Sequence, residues 1–200
     1  MNNTEIIARR LYNQHLALSP FTKPHQAVSA LVAVQAQEYA HSKWPIGLRC
    51  SGLKDEDVDA ALADGSILRT HIMRPTWHYV SPKDIVWLQM LTKHRVLAMM
   101  APYNKKMDLD SNVFNKANNV LEKLLANNNY LTRDQLGDEL AKHKILATGQ
   151  RLAHIMMQAE LEAIVCSGPR IGKQFTYALV AERAPKAKMM DKPGAMALLA

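Results

Sequence analysis

Two glutamines one residue apart, Gln35-Ala36-Gln37, are the side chains in this 200-residue chain whose placement most suggests chemistry. The apolar residues ahead of them, Ala27, Val28, Leu31 and Val32, recur at helical spacing, and Gln35 falls next on the same face. A carboxamide aimed inward needs hydrogen-bond partners, because a buried unpaired amide is costly. Gln37 stands about 200° further round an ideal helix. Both amides therefore serve one pocket only if the helix ends or distorts between them. The plain alternative is a helix terminus carrying two hydrogen-bonded glutamines. A second concentration lies at Arg69, His71, Arg74, Thr76 and His78, around Trp77. Cations, donors and an aromatic face in that density suit a phosphate backbone and a stacked base. Its alternative is a hairpin whose alternate residues face water.

Other catalytic patterns are missing from the sequence. There is no H-E-x-x-H, no G-x-x-x-x-G-K-[ST] and no G-x-S-x-G. Cys50 and Cys166 are far apart and do not join the histidines at metal-ligand spacing, so neither a disulfide, a metal nor a cofactor is expected. A net charge of +7 allows nucleic acid or another polyanion as partner. No apolar run is long enough to span a bilayer, and Met1-Asn2-Asn3-Thr4-Glu5 does not open a signal peptide. The expectation is a cytoplasmic, nucleoid-associated monomer without membrane contact.

The elements that must position these residues read as two similar units. A helix begins near Thr4 with Ile7, Leu11 and Tyr12 inward, Pro20 and Pro24 break it, and an Ala27–Gln35 helix follows. After a mixed segment, a third helix opens at Asp55 and stops at Gly65. Strands over 67–73 and 77–80 close the unit. A connecting helix from Pro82 leads to a loop near Pro102, and Asp108-Leu109-Asp110-Ser111 reads as a boundary.

The pattern then repeats. A helix buries Val113, Ala117, Val120 and Leu121. Thr132 and Gln135 form a capping box, and a helix buries Leu152, Ile155, Met156 and Ala159. A hairpin turns at Ser167–Lys173. Helix, helix, helix, hairpin is the order of a winged helix-turn-helix. The expected fold is mainly α with small β-hairpins (α+β), two tandem winged units over 1–107 and 108–200, with a further helix starting at Met196. In such a unit Arg151, His154 and Gln158 occupy the groove-facing side of the third helix, and Arg170 and Lys173 the tip of the wing.

Taken in order, these segments resemble the AlkZ-like (YcaQ-like) family of bacterial DNA glycosylases. The residues that carry the likeness are Gln35-Ala36-Gln37, Leu48-Arg49, the stretch from Arg69 to Val80, Ala159-Glu160, the stretch from Ile164 to Pro169, and Glu182-Arg183-Ala184-Pro185. The resemblance implies that Gln35 and Gln37 are catalytic. It also implies double-stranded DNA as partner and makes Arg49, Arg69, Arg74, Thr76, His78, Arg151, His154, Arg170 and Lys173 candidates for DNA contact. The implied reaction is hydrolysis of the N-glycosidic bond of an alkylated or crosslinked purine, and the rival is a non-enzymatic winged-helix regulator. His71, Pro75 and Trp77 depart from the family pattern, which predicts a reshaped pocket floor. Family members usually run well beyond this length.

Overall fold

The chain's first core forms not around its first helix but around its second. The computed structural model describes residues 2–199. Helix α1 (Asn3–Asn13) is well started, since Asn2 and Glu5 close a capping box, but it buries none of its residues. Ile7, Leu11 and Tyr12, expected inward, are exposed. Helix α2 (Pro24–Ala30) has Pro24 in its first turn and buries Ala27 and Val28. The expected helix to Gln35 does not form. Leu31 caps α2, Val32 takes a left-handed backbone at φ 64°, and the chain reverses into strand β1 (Ala33–Gln35).

Two short helices, α3 (Tyr39–Ser42) and α4 (Trp44–Gly47), replace the mixed segment. Helix α5 (Asp55–Asp64) starts from Lys54 rather than Asp55, because the Asp57 carboxylate takes the Lys54 N–H at 2.7 Å. It ends on Gly65 at φ 82°, where only glycine sits without strain. Strands β2 (Leu68–His71) and β3 (Trp77–Val80) complete an antiparallel sheet of order β1-β3-β2. The register sets Val34 against Tyr79, Gln35 against His78, and Thr70 against the other side of His78.

Helix α6 (Ile85–Lys106) is 22 residues long and starts after Asp84, later than the expected Pro82. It runs through Pro102 instead of breaking there. An interior proline costs about 3 kcal/mol, and here the helix is held by packing along α9 of the second unit. That unit comprises α7 (Ser111–Leu125), β4 (Leu131–Thr132), α8 (Arg133–Lys142), α9 (Gly149–Leu161), β5 (Val165–Ser167) and β6 (Thr176–Leu179). Thr132 and Gln135 close the expected capping box. Its sheet has the order β4-β6-β5. Helices α10 (Val180–Arg183) and α11 (Lys192–Leu199) follow; α11 begins four residues before the expected Met196, and Ala200 lies outside the described residues.

Apart from α1, both units thus run one helix, one strand, then helices (three in the first unit, two in the second) and a hairpin, with the first strand paired to the last. This is the winged helix-turn-helix topology twice over, mainly α with small antiparallel sheets. Each unit has its own apolar core. A third core joins them: Leu68, Ile72, Val80 and Leu88 pack with Cys166, Val180 and Ala184. The free edge of β2 meets the second unit directly. Its Arg69 N–H donates to Ser167 Oγ and its His71 N–H to Glu160 Oε2, both at 2.8 Å. Side chains of one unit thereby satisfy backbone donors that an edge strand leaves open.

Candidate active site

Residues 33–35 form a strand and the chain bends at Gln37, and that changes what the glutamine pair can do. Ala33 N–H bonds back to Leu31 O at 2.7 Å, and past the end of β1 Ala36 N–H still reaches Trp77 O at 2.7 Å. Side chains in extended chain alternate. Val34 and Ala36 are buried, whereas Gln35 and Gln37 are exposed on the opposite side. Burial thus alternates from Val34 to Gln37 and leaves both amides on the exposed side, without the offset of a helix. Gln37 Oε1 accepts the Trp77 backbone N–H at 3.3 Å, and Gln35 Oε1 lies 3.5 Å from Arg74 Nη2. Both face the turn between β2 and β3.

Gln37 lines a cleft of about 360 Å³ between the two units; Gln35 sits outside its lining, beside exposed Arg74. The first unit contributes Tyr39, Arg69 and Trp77 to this cleft, and the second Thr132, Arg133, Asp134, Lys173, Gln174, Phe175 and Tyr177. That volume is within the roughly 300–1,000 Å³ of small-molecule pockets. Arg69 forms the floor. Its Nε and Nη2 both donate to Ala36 O at 3.0 Å, and Nη2 also reaches Gln37 O at 3.5 Å. Its guanidinium is stacked between Trp77 (4.3 Å) and Phe175 (4.7 Å). Burial lowers its pKa, with Tyr79 and Glu160 acting the other way, but a guanidinium keeps its charge.

Beneath the floor lies Glu160 of α9, almost wholly buried. Its carboxylate accepts the His71 N–H, pairs with His71 Nδ1, and lies 3.5 Å from Trp77 Nε1. The His71 and Trp77 rings are 4.5 Å apart. Of the three residues that depart from the family pattern, Trp77 lines the cleft, His71 packs behind it, and Pro75 is outside the lining. On the cleft wall, the Tyr39 hydroxyl donates to Asp59. Burial, and then this bond, push the Tyr39 phenol up to about 12, so it stays protonated at neutral pH. Lys43 bridges Asp55 (2.6 Å) and Asp59 (2.7 Å).

The candidate DNA contacts separate into two groups. Arg74 and Lys173 are exposed, Lys173 in the cleft lining and Arg74 outside it beside Gln35. Arg49 is turned inward, its Nε on Gln14 O and its Nη1 on Pro45 O, both at 2.7 Å. Arg170 bends from the wing tip onto the Tyr39 ring at 4.6 Å and donates to Lys173 O. His78 is buried, its Nδ1–H on Thr76 O at 3.0 Å, and Thr76 Oγ1 is buried without a partner. Arg151 Nε donates to Leu146 O, and His154 meets Asn104 of α6 at 2.7 Å.

The third helix of the second unit is therefore packed against α6 on its His154 side. The corresponding helix of the first unit, α5, carries Asp55, Glu56, Asp57, Asp59 and Asp64 and no cation of its own, Asp55 and Asp59 being paired with Lys43; the unpaired carboxylates disfavour phosphates. The sequence reading passed over Tyr39, Arg133 and Phe175. It gives Glu160 no role beyond carrying the family likeness, although Glu160 falls four residues after Met156 on the buried face of α9.

A tandem winged-helix protein with a glutamine-bearing cleft between its units is the class that this fold and site define. The family comparison narrows it: the chain belongs to the AlkZ-like family, whose model, described as DNA glycosylase AlkZ-like, matches residues 28–199. An interstrand DNA cross-link repair glycosylase of Streptomyces sahachiroi is 24% identical over 186 residues, which cover 90% of this chain and 49% of that protein. The solved structure of Streptomyces sahachiroi DNA glycosylase AlkZ superposes with a TM-score of 0.80 at 23% identity, over 98% of this chain and 54% of that one. The structural likeness shows the fold. The chain spans about half the length of these relatives.

Proposed function

We propose that this protein is a monofunctional DNA glycosylase that hydrolyses the N-glycosidic bond of alkylated or crosslinked purines in double-stranded DNA, with Gln35 and Gln37 as its catalytic residues. The observation that carries the reading is that a strand replaces the expected helix and leaves both carboxamides exposed, Gln35 beside Arg74 and Gln37 on the Trp77 N–H in the cleft. A purine alkylated at a ring nitrogen such as N7 is a cationic, good leaving group. It departs neutral with the electron pair of the C1′–N bond, the oxygen of a water bonds to C1′, and the water's proton passes to solvent. The protein must place that water and stabilise an oxocarbenium-like sugar. A carboxamide oxygen does both, by accepting a hydrogen bond from the water and by turning its negative partial charge to the cation. Gln37 Oε1 accepts only the Trp77 N–H and keeps a lone pair for this. An amide is a poor general base, so neutral damaged bases are expected to be poor substrates. The step draws on no metal or cofactor.

We place the DNA backbone at the rim, on Arg74 and Lys173, because α5 is acidic and α9 is occupied by α6. The name of the Streptomyces sahachiroi relative supports crosslinked purines as substrates. Acting on chromosomal DNA, the protein works as a monomer in the cytoplasm, on the nucleoid, with the division between its units near residue 108.

The test is base release from N7-alkylated duplex. Gln37→Ala, which empties the cleft position, is expected to slow release by about 100-fold or more, as removal of one oriented dipole does elsewhere. Gln35→Ala is expected to slow it less, with DNA affinity retained in both. A wild type that binds this DNA without releasing base, or release undiminished in both variants, refutes the reading.

A further inference from the structure

We propose that Glu160, in the second unit, is a positioning residue for the catalytic segment of the first, acting on Gln37 through His71 and Trp77. The proposal rests on the glycosylase reading and assigns the second unit a part in it. Glu160 does not line the cleft and is 1% exposed, so it touches no substrate. Its two oxygens hold two different things. One takes the His71 N–H at 2.8 Å and pairs with the His71 ring; the other faces Trp77 Nε1 at 3.5 Å.

Trp77 is consequently gripped on three sides: by Glu160 at its indole N–H, by the His71 ring at 4.5 Å, and by the Arg69 guanidinium at 4.3 Å. Its backbone then fixes the reacting segment. Trp77 O accepts Ala36 N–H at 2.7 Å, and Trp77 N–H donates to Gln37 Oε1. Gln89 Nε2 ties the assembly to α6, donating to Glu160 O at 2.6 Å and to Thr70 Oγ1 at 2.9 Å. A continuous run of contacts leads from α9 to the Gln37 amide.

The choice of a carboxylate here is informative. Burying one is expensive, and apolar residues of similar volume often stabilise a core as well or better. Stability alone does not call for Glu160. What an apolar residue cannot supply is a directed acceptor that sets the rotation of the Trp77 indole and holds the open edge of β2. The third helix of the second unit, which in a DNA-reading winged helix enters the groove, supports the active site of its neighbour instead.

The experiment compares Glu160→Ala, Glu160→Gln and Trp77→Phe with wild type, reading single-turnover rate, DNA affinity, and hydrogen exchange of the residue-77 backbone amide. Trp77→Phe removes the indole N–H while keeping a ring in place, and covers the case in which Glu160→Ala does not fold. Glu160→Ala is expected to lower the rate by about 100-fold, the scale of a misplacement near 1 Å, with affinity unchanged and faster exchange at Trp77. Trp77→Phe is expected to lower the rate in the same sense. Glu160→Gln, which keeps one acceptor for the Trp77 indole but turns an amide NH2 towards the His71 N–H, is expected to restore part of it. A wild-type rate in folded Glu160→Ala or in Trp77→Phe overturns the proposal, as does a loss confined to affinity, or a Glu160→Gln as slow as Glu160→Ala. If the wild type releases no base, the glycosylase reading fails; residue-77 exchange, which needs no turnover, then decides the positioning role by itself.

Discussion

Arg69→Met separates a structural cation from a DNA-binding one. At 7% exposure Arg69 has no face left for a phosphate. Its donors go to Ala36 O and Gln37 O, and its plane is covered by Trp77 and Phe175. Methionine fills much of the volume and forfeits those bonds. Hydrogen bonds from a charged donor contribute about 1.5–3 kcal/mol, and a desolvated cation–π contact about 2 kcal/mol. Removing the buried charge returns part of this through relief of desolvation. A net loss of about 3 kcal/mol remains, which for a chain of this size lowers Tm by about 6–12 °C. Base release should fall as well, because Ala36 O and Gln37 O lose the group that fixes them. The salt dependence of DNA affinity should not change. Calorimetry with binding isotherms across a salt series measures both. A salt slope reduced by about 1, with Tm unaltered, would show that Arg69 meets a phosphate and that its role here has been misassigned.

Arg74→Ala and Lys173→Ala should behave in the opposite way. Both side chains are exposed, so Tm should hold while each substitution reduces the salt slope by about 0.9 for a lost phosphate contact; unchanged slopes in both would move the DNA away from this rim. His78 predicts a pH effect. Burial lowers its pKa below the ordinary 6.5, the Thr76 carbonyl opposes this, and Arg74 and His71 add to it. The unfolded chain then takes up a proton near pH 6.5 that the folded chain refuses, so stability falls as pH drops below 6.5 towards the folded pKa. Thermal melts between pH 7.5 and 5.5 should show a smaller decline for His78→Asn, which keeps a donor for Thr76 O, than for wild type. Parallel declines would remove His78 from the account.

Much of the fold was legible because its signals are local. The Thr132–Gln135 box, the Gly65 stop and the apolar stripes of α7 and α9 each report their own backbone. The glutamine segment was misread because Ala27, Val28, Leu31 and Val32 fit helical spacing, while what ends the helix is tertiary. Val32 adopts a left-handed backbone so that residues 33–35 can pair with residues 78–80 of β3, far along the chain. No propensity of Val32 announces that. Pro102 is the same lesson reversed, a breaker overruled by packing against α9. The basic residues show a third limit. Composition registers the charge of Arg49, Arg69 and Arg170 but not that backbone carbonyls and aromatic rings of the chain itself already engage it.

The two glutamines are held differently, and that difference connects DNA contact to chemistry. Gln37 is fixed by a backbone N–H, whose position depends on Trp77 and, behind it, on Arg69 and Glu160. Gln35 is held only by the exposed, flexible Arg74, at 3.5 Å. On the glycosylase reading Arg74 is also a phosphate ligand. When the DNA backbone takes its guanidinium, Gln35 loses its one side-chain neighbour, whereas Gln37 keeps its backbone donor. On that reading Gln37 is the preset dipole and Gln35 the looser one, which is why Gln37→Ala is expected to slow base release more than Gln35→Ala.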